Sequence, residues 1–203
     1  GAEAIYDFLS YKIKKNFYFF DDLNYEKLKK FRKSENLRKS LFIIISKSGN
    51  TIETILNLLY LKILKKNSKN LIIISENTNN FLSHLSKIYK IKFIEHKKFL
   101  GGRYSVLSEV GLVPAYFMGL NIKKLRIDLQ RYLKTKDKSF LRKSSVLLSS
   151  IMKSKKYNNI IFLNYCPELE KFLFWIQQLI SESLGKKGNG LLPVISNAPK
   201  DHH

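Results

Sequence analysis

The stretch LFIIISKSGNTIETIL, residues 41–56, contains the features that decide the predicted fold. Its first five residues are apolar and rich in isoleucine, as in a buried strand, and the apolar spacing after residue 51 is typical of a helix. A short polar turn separates the two. The sequence therefore predicts a strand, a turn and a helix N-terminus in immediate succession. Further alternations of strands and helices along the chain predict an α/β fold with a mostly parallel sheet.

The polar turn of this stretch is suited to hold a phosphate group. A helix N-terminus presents free backbone N–H groups at the positive end of the helix dipole. Around it the sequence places the hydroxyls of Ser46, Ser48 and Thr51, and Lys47 adds a positive charge. An anion could be bound by this combination of donors and charge.

An ordinary helix cap is the alternative explanation of the same turn. Asn50 and Glu53 fit a capping box, which a helix needs whatever binds there. Capping does not require the additional hydroxyls or the lysine, so anion binding is favoured. The pattern Ser-x-Ser-Gly-x-Thr after an apolar strand resembles the phosphate loop of sugar isomerase (SIS) domains. Because those domains bind phosphosugars, the resemblance implies a phosphosugar ligand.

The formal net charge of +21 does not by itself indicate a nucleic-acid partner. Only six of the 37 basic residues are arginine, and lysine occurs together with abundant isoleucine and asparagine. This composition is typical of a coding bias toward A and T, and lysines spread over helix faces ordinarily form a solvated surface. We expect no nucleic-acid partner, although the charge should attract sugar phosphates in a salt-sensitive way.

Other features of composition bear on the cellular setting. The chain has no apolar run of membrane-spanning length and no signal peptide, and its single cysteine, Cys166, cannot form an internal disulfide. We therefore expect a cytoplasmic protein without a membrane partner. Because the sequence begins at Gly1 without a methionine and stops at His203, we also expect an internal fragment of a longer protein.

A second stretch, GGRYSVLSEVG at residues 101–111, combines paired glycines with an arginine. Gly102 would let the backbone approach a ligand closely, and Arg103 is a permanent cation that can stabilise developing negative charge. A plain turn with a surface arginine is the alternative. The full string, however, resembles a signature of the glucose-6-phosphate isomerase family. Glu109 is a mild departure, since many relatives have an uncharged residue there.

The third stretch, QLISESLGK at residues 178–186, places Glu182 near the C-terminal end of an amphipathic helix. The helix dipole disfavours an anion there, which would raise the pKa of the carboxyl and suit a proton shuttle. A solvated helix-end glutamate with Gly185 as C-cap is the alternative from spacing alone. The resemblance to the isomerase family, whose Glu-Ser-x-Gly-Lys motif carries the catalytic base, implies that role for Glu182. It implies substrate binding for Gln178.

The family resemblance also implies a mechanism. Glucose 6-phosphate and fructose 6-phosphate would be interconverted by general acid/base catalysis through an enediolate, without metal or cofactor. Arg103 would stabilise the enediolate, and His203, with His202 as the alternative, would help open the sugar ring. Glu53 would orient that histidine. The resemblance further implies a homodimer, in which the histidine reaches the site from the partner subunit, and a role in glycolysis and gluconeogenesis.

The domain organisation is predicted from the same alternation of elements. We expect a first three-layer α-β-α domain of SIS type at residues 1–119, N-terminally truncated, a helical connector at 120–138 and the start of a second SIS-type domain at 139–203. His84 and His96 have no comparable partners in the sequence and are expected to be structural or solvent-facing. A non-catalytic SIS module that senses phosphosugars is the alternative function.

Overall fold

The computed structural model describes residues 1–134, 137–186 and 188–201. Contacts divide the chain into two compact units. We call Asn16–Ser105 the sheet unit, and we call Gly1–Lys15 together with Val106–His203 the split unit, because it is discontinuous in sequence. This grouping follows contacts alone, so the predicted domain boundaries near residues 119 and 139 stay a prediction.

Three parallel strands form the sheet of the sheet unit: β1 (Phe42–Ile45), β2 (Leu71–Ser75) and β3 (Lys92–Glu95). β2 lies in the middle, and its residue Ile73 is opposite Ile44 of β1. Isoleucine dominates the strands because its β-branched side chain fits a pleated, buried surface. The predicted α/β class with a parallel sheet is therefore confirmed.

Helices α2 (Tyr25–Ser34), α3 (Ile52–Leu61) and α4 (Phe81–Ile88) complete the sheet unit. α3 connects β1 to β2 and α4 connects β2 to β3, which gives two successive βαβ crossovers. Apolar residues from these helices, the strands and the adjoining segments form one core. Its buried members are Leu28, Phe31, Phe42, Leu58, Leu61, Ile63, Leu71, Ile73, Leu82 and Ile91.

The carboxyl ends of the three strands lie at one edge of the sheet because the strands are parallel. β1 leads into Ser46, β2 ends at Ser75, and β3 leads into His96. Backbone hydrogen bonds extend the pairing past the strand ends: the Ser46 N–H donates to the Ile74 carbonyl at 3.1 Å, and the His96 N–H donates to the Ser75 carbonyl at 2.7 Å. In open parallel sheets this is the edge where ligands bind.

Helix α1 (Ala2–Phe8) packs against both α5 (Glu109–Phe117) and α8 (Glu170–Leu184) in the split unit. The start of α5 comes close to the preceding segment. A Cβ added at Gly111 would lie only 1.8 Å from the Val106 carbonyl oxygen. Gly111, the last residue of the GGRYSVLSEVG stretch, is therefore explained by packing.

Two further helices and a small sheet belong to the split unit. α6 (Ile122–Lys134) and α7 (Asp137–Lys153) pack against each other, and β4 (Asn159–Asn164) pairs in parallel with β5 (Leu192–Asn197). The predicted connector at 120–138 is thus largely helical, and its residues 135 and 136 lie outside the described residues. Within the described ranges, none of the helices combines the length and apolar character that crossing a bilayer requires.

Strand β5 is an element that the sequence does not predict. Pro193 lies within it, and Gly188 and Gly190 precede it, a combination typical of loops. Among the described strands β5 pairs with β4 alone, and at such an edge position a proline is tolerated. The Pro193 carbonyl accepts a hydrogen bond from Gln177 Nε2 at 2.8 Å, which attaches the strand to α8.

Helix α3 is shorter than its apolar pattern indicates. The pattern predicts a helix that carries apolar residues as far as Leu64 and ends in residues 65–67, but α3 ends at Leu61 because Lys62 adopts a left-handed conformation with φ 53°. Ile63 is nevertheless buried, and Leu64 packs against the core from outside the helix. Burial of the apolar residues is therefore predicted correctly, whereas the helix boundary is wrong.

Acidic side chains meet where α1 packs against α8. The Lys171 ammonium lies 3.2 Å from a Glu3 carboxylate oxygen. Partial burial is the main factor that raises the pKa of Asp7 above its usual value of 3.8, and Glu3 and Glu170 raise it further, while Lys171 lowers it. Because the folded state disfavours the Asp7 carboxylate, it favours the protonated carboxyl group. The stabilisation that this preference gives is complete at pH values below the ordinary pKa and is lost as pH rises through the raised pKa.

We therefore predict that Asp7→Asn stabilises the complete protein at neutral pH. The gain in melting temperature should shrink as pH falls toward about 4, where the wild-type carboxyl becomes protonated as well. Thermal unfolding of both proteins between pH 4 and pH 8 measures this difference. Asp21→Asn, at an exposed position of the sheet unit, is the matched control. A gain that is equal at all pH values, or that Asp21→Asn reproduces, would contradict the electrostatic explanation.

Candidate active site

The loop after β1 is closed by the side chain of Ser46. This residue is 6% exposed, and its Oγ accepts a hydrogen bond from the Gly49 backbone N–H at 3.1 Å. The same oxygen lies 2.6 Å from Thr51 Oγ1, so the two hydroxyls are hydrogen-bonded to each other. One buried side chain thus joins both ends of the loop and fixes its path into α3.

Helix α3 begins without the predicted capping box. Thr51 is its N-cap residue, and no side chain of the described residues caps it. Asn50 Oδ1 instead accepts a hydrogen bond at 2.9 Å from the backbone N–H of Phe81, at the start of α4. Glu53 is exposed in the first turn of α3. The capping-box interpretation is therefore wrong, and the positive end of α3 faces the hydroxyls of the loop.

Gly49 is required by both its conformation and its neighbour. Its φ is +69°, and an added Cβ would lie 1.9 Å from Asn80 Oδ1. Asn80 is 3% exposed; its Oδ1 accepts the Ser83 N–H at 2.9 Å, and its Nδ2 donates to the Glu76 carbonyl at 2.8 Å. The Leu82 N–H also donates to the Gly49 carbonyl at 3.1 Å, which attaches the loop after β1 to the start of α4.

Charge and exposure differ between the remaining loop residues. Lys47 Nζ lies 3.6 Å from a Glu76 carboxylate oxygen, so its positive charge is partly offset by a carboxylate whose side chain is only 15% exposed. Ser48 is exposed, and its Oγ accepts the Asn50 N–H at 3.2 Å. Ser48 therefore presents its hydroxyl at the surface of the loop, where it can reach a ligand.

Arg103 lies in a single 3-10 turn, Gly102–Tyr104, that follows β3. The Gly102 carbonyl accepts two hydrogen bonds from Ser105, one from its backbone N–H at 3.1 Å and one from its Oγ at 2.6 Å. The Arg103 guanidinium lies over the ring of Tyr104, 5.0 Å from its centroid, in a cation–π contact. The turn is thus closed by a side chain, Ser105, that is only 3% exposed.

The two glycines before Arg103 differ in what surrounds them. A Cβ at Gly101 would lie 3.1 Å from the ring of Tyr104, whereas a Cβ at Gly102 would meet no described atom within 4 Å. Neither glycine has a positive φ. At Gly102, therefore, neither backbone conformation nor packing within the described residues explains a glycine, and its predicted contact with a ligand stays a prediction.

Glu109, the charged residue at which the motif departs from the family signature, lies at the start of α5. Ser108 is the N-cap residue, and its Oγ accepts the Val110 N–H at 3.4 Å. Glu109 lies in the first turn of the helix, where a carboxylate interacts favourably with the helix dipole. A local role in the helix is sufficient to explain this residue.

Glu182 lies exposed in the last turn of α8, as predicted. Gln178, one turn earlier, donates a hydrogen bond from Nε2 to Glu182 Oε1 at 2.7 Å. The helix ends at Gly185, whose N–H donates to the Ser181 carbonyl at 3.0 Å. A Cβ at Gly185 would lie 2.6 Å from that carbonyl oxygen, so this glycine has a structural reason. The geometry leaves Gln178 able to orient the Glu182 carboxylate.

The structure describes two of the four histidines for which the sequence predicts a role. His203 and its alternative His202 lie outside the described residues. His84 is exposed, as expected of a histidine without a site role. His96 is 1% exposed and is hydrogen-bonded within the sheet unit, which agrees with its predicted structural character.

Two surface depressions of the described residues are lined by residues other than the predicted site residues. One depression follows α7 and another lies beside Lys62 and Asn70, and neither is lined by a predicted site residue. In the part of the chain that the structure describes, no group of three or more histidine, cysteine, aspartate or glutamate side chains is placed to hold a metal ion.

The structure brings the predicted site residues together in three groups: the loop of Ser46–Thr51, the Arg103 turn, and the Gln178–Glu182 pair. Sequence reasoning missed Asn80 and Glu76, which support the first group. Asn80 has a local signal, since it precedes an apolar-periodic segment and caps α4 through Ser83. The contact between Glu76 and Lys47 has no local signal because it depends on the pairing of β1 with β2.

Comparison with known proteins decides the family. The profile described as phosphoglucose isomerase matches residues 3–190, a range that contains all three groups. This chain belongs to the phosphoglucose isomerase family.

Curated relatives that are similar in sequence to this chain are named glucose-6-phosphate isomerase. It is 34% identical to the glucose-6-phosphate isomerase of Methanocaldococcus jannaschii, in an alignment that covers 100% of this chain and 52% of the relative. It is 31% identical to the glucose-6-phosphate isomerase of Acholeplasma laidlawii, with the same two coverages. The chain thus spans about half the length of the curated relatives it matches.

Solved structures agree with the phosphoglucose isomerase fold. A hypothetical protein of Thermus thermophilus is similar with a TM-score of 0.85 at 27% identity, over 100% of this chain and 51% of that one. A glucose-6-phosphate isomerase of Chlamydia trachomatis has a TM-score of 0.67 at 15% identity, over 100% of this chain and 43% of that one. At that identity the second likeness supports the fold alone.

We predict that Gly49→Ala destabilises the complete protein. The added methyl group would overlap Asn80 Oδ1 and would occupy a left-handed backbone position, so the overlap alone should cost about 1–3 kcal/mol. Urea denaturation followed by circular dichroism measures the loss.

Gly102→Ala is the matched control for this stability measurement, because its methyl group would meet no described atom within 4 Å. It should leave the urea midpoint close to that of the wild type. Equal destabilisation by the two variants would contradict the specific role of the contact between Gly49 and Asn80.

Proposed function

We propose that the complete protein interconverts glucose 6-phosphate and fructose 6-phosphate. The observation that carries the proposal is that one family match, residues 3–190, includes the hydroxyl-rich loop, the Arg103 turn and the Gln178–Glu182 pair. The names of the curated relatives support the same reaction and do not favour a purely regulatory phosphosugar sensor. The proposal extends to the whole protein because this chain spans about half of those relatives.

The phosphate group of the sugar binds at the loop after β1 in this proposal. Ser46, Ser48 and Thr51 contribute hydroxyls, and the start of α3 contributes backbone N–H groups that no described side chain caps. Lys47 adds a positive charge, which Glu76 partly offsets at 3.6 Å. An anion would therefore be held chiefly by hydrogen bonds and by the helix dipole, with the lysine in a secondary role.

Glu182 is the proposed general base. Its carboxylate would take a proton from C2 of the open-chain aldose and, as a carboxylic acid, return that proton to C1. The proton of the C2 hydroxyl passes to O1 at the same stage, so that the carbonyl group moves from C1 to C2. Gln178 supports this role because its Nε2 donates to one Glu182 oxygen at 2.7 Å, which orients the other oxygen. The same glutamine would contact the substrate.

Arg103 would stabilise the enediolate that forms between the two proton transfers. A guanidinium stays charged at every relevant pH, so it can balance negative charge without exchanging a proton itself. The cation–π contact with Tyr104 supports a fixed position for this group. Gly102 would let the sugar approach the backbone, since nothing within the described residues occupies the space before it.

Ring opening is assigned to His203, with Glu53 orienting its imidazole. The family motif supports this assignment, as does the exposure of Glu53 in the first turn of α3. We further propose that the protein acts as a homodimer in the cytoplasm, in glycolysis and gluconeogenesis, as the family resemblance implies.

Replacing the proposed base tests its role directly. Glu182→Gln should lower kcat by about 10²–10⁴-fold, because the amide cannot accept the C2 proton, while the affinity for the phosphosugar persists. A coupled assay measures fructose 6-phosphate conversion, and calorimetry measures binding. Glu26→Gln, at an exposed glutamate of α2, is the control and should retain normal turnover. Near-normal turnover of Glu182→Gln would refute the assignment.

Exchanging the proposed cation for a different one tests the need for a guanidinium. Arg103→Lys should lower kcat by about 10²–10³-fold, close to the loss of one preorganised donor at roughly 3 kcal/mol, because an ammonium cannot reproduce the planar guanidinium. The same steady-state assay measures it. Arg38→Lys, at an exposed position of the sheet unit, serves as the control. If both variants turn over at the wild-type rate, the Arg103 guanidinium does not act on the developing charge.

A further inference from the structure

His96 is a buried titratable residue to which the proposed reaction assigns no role. It follows β3 directly, at the edge of the sheet where the strands end, and it is 1% exposed. A buried imidazole loses its hydration, so its polar nitrogens need hydrogen-bond partners within the protein. The partners of His96 therefore show what the residue holds in place.

Two hydrogen bonds attach His96 to different segments. Its backbone N–H donates to the Ser75 carbonyl at the end of β2, at 2.7 Å. Its Nε2 lies 3.1 Å from the carbonyl oxygen of Leu100. Because a carbonyl oxygen can only accept, Nε2 must carry the proton of this bond. The residue is anchored to the sheet through its backbone and holds Leu100 through its side chain.

Leu100 immediately precedes the turn that carries Arg103. Its own N–H donates to the Lys97 carbonyl at 3.0 Å, which makes the segment after His96 a compact turn. The Tyr104 N–H then donates to the Gly101 carbonyl at 2.9 Å. Hydrogen bonds thus hold Leu100 on one side of the Leu100–Gly101 peptide bond and Gly101 on the other, so the imidazole is connected to the turn through that peptide bond.

We propose that His96 is a positioning residue for Arg103. By holding the Leu100 carbonyl, the imidazole fixes where the Gly102–Tyr104 turn starts, and so where the guanidinium lies. Only the expected effect on catalysis rests on the proposed function. The position of the Gly102–Tyr104 turn depends on His96 within the sheet unit alone.

A selective effect on kcat is expected to follow from this arrangement. Loss of the donor removes the hydrogen bond that His96 makes to the partly buried Leu100 carbonyl, and the turn shifts to find another partner. A displacement of about 1 Å in a catalytic group costs roughly a hundredfold in rate. The loop of Ser46–Thr51 is held by its own hydrogen bonds, from the Gly49 N–H to Ser46 Oγ and between the Ser46 and Thr51 hydroxyls, so phosphosugar binding should change little.

The experiment compares His96→Leu, which has no donor, with His96→Gln, which keeps one, in the complete protein. His96→Leu should lower kcat for fructose 6-phosphate by about ten- to a hundredfold while KM stays within about twofold. Hydrogen exchange of the Tyr104 and Ser105 amides, followed by mass spectrometry, should become faster. His96→Gln should restore most of both properties. His84→Leu, which removes an exposed imidazole, should change neither.

The two readouts separate the inference from the proposed function. If the wild type has no isomerase activity but His96→Leu still accelerates exchange in the turn, the proposed function fails and the control of the turn by His96 holds. If exchange at Tyr104 and Ser105 is unchanged in His96→Leu, or if KM rises as much as kcat falls, His96 does not position Arg103. Failure of His96→Gln to rescue a slowed His96→Leu would overturn it as well.

Discussion

Parallel pairing of β1, β2 and β3 is the constraint on which the candidate site depends. Because parallel strands end at the same edge, residues far apart in sequence are placed next to one another there. The Ser46 and His96 backbone N–H groups continue the pairing beyond the strands, to the Ile74 and Ser75 carbonyls. The loops that follow are therefore attached to the sheet by hydrogen bonds at their first residue, and their side chains start from fixed positions.

Buried polar residues are concentrated around these loops. A buried hydroxyl, amide or imidazole is favourable only when it is hydrogen-bonded, so each of them restricts the chain to a path that satisfies it. The core beneath the strands is apolar and can tolerate changes of similar volume. The buried polar residues tolerate less substitution, because each of their side chains contacts a particular backbone group. They are Ser46, Ser75, Asn80, His96 and Ser105.

The sequence predicts the parts of this arrangement that local patterns determine. The apolar run before Ser46 and the helix that ends at Gly185 both have local signals, and the structure confirms them. The partner of Asn50 could not be predicted, because the Phe81 N–H reaches it only when β1 and β2 are paired. β5 was hidden by Pro193, which an edge strand tolerates. Long-range pairing, rather than weak local preference, therefore accounts for most of what the sequence did not predict.

The hydrogen bonds of the Ser46–Thr51 loop affect the thermodynamics of anion binding. Ser46 closes the loop through Gly49 and Thr51, and the buried Asn80 side chain fills the space beside Gly49. Folding has already restricted the backbone torsions of this segment, so an incoming anion loses little conformational entropy in ordering it. A loop preorganised in this way can accept and release its ligand with little change in its backbone, which suits a reversible reaction whose substrate and product carry the same phosphate.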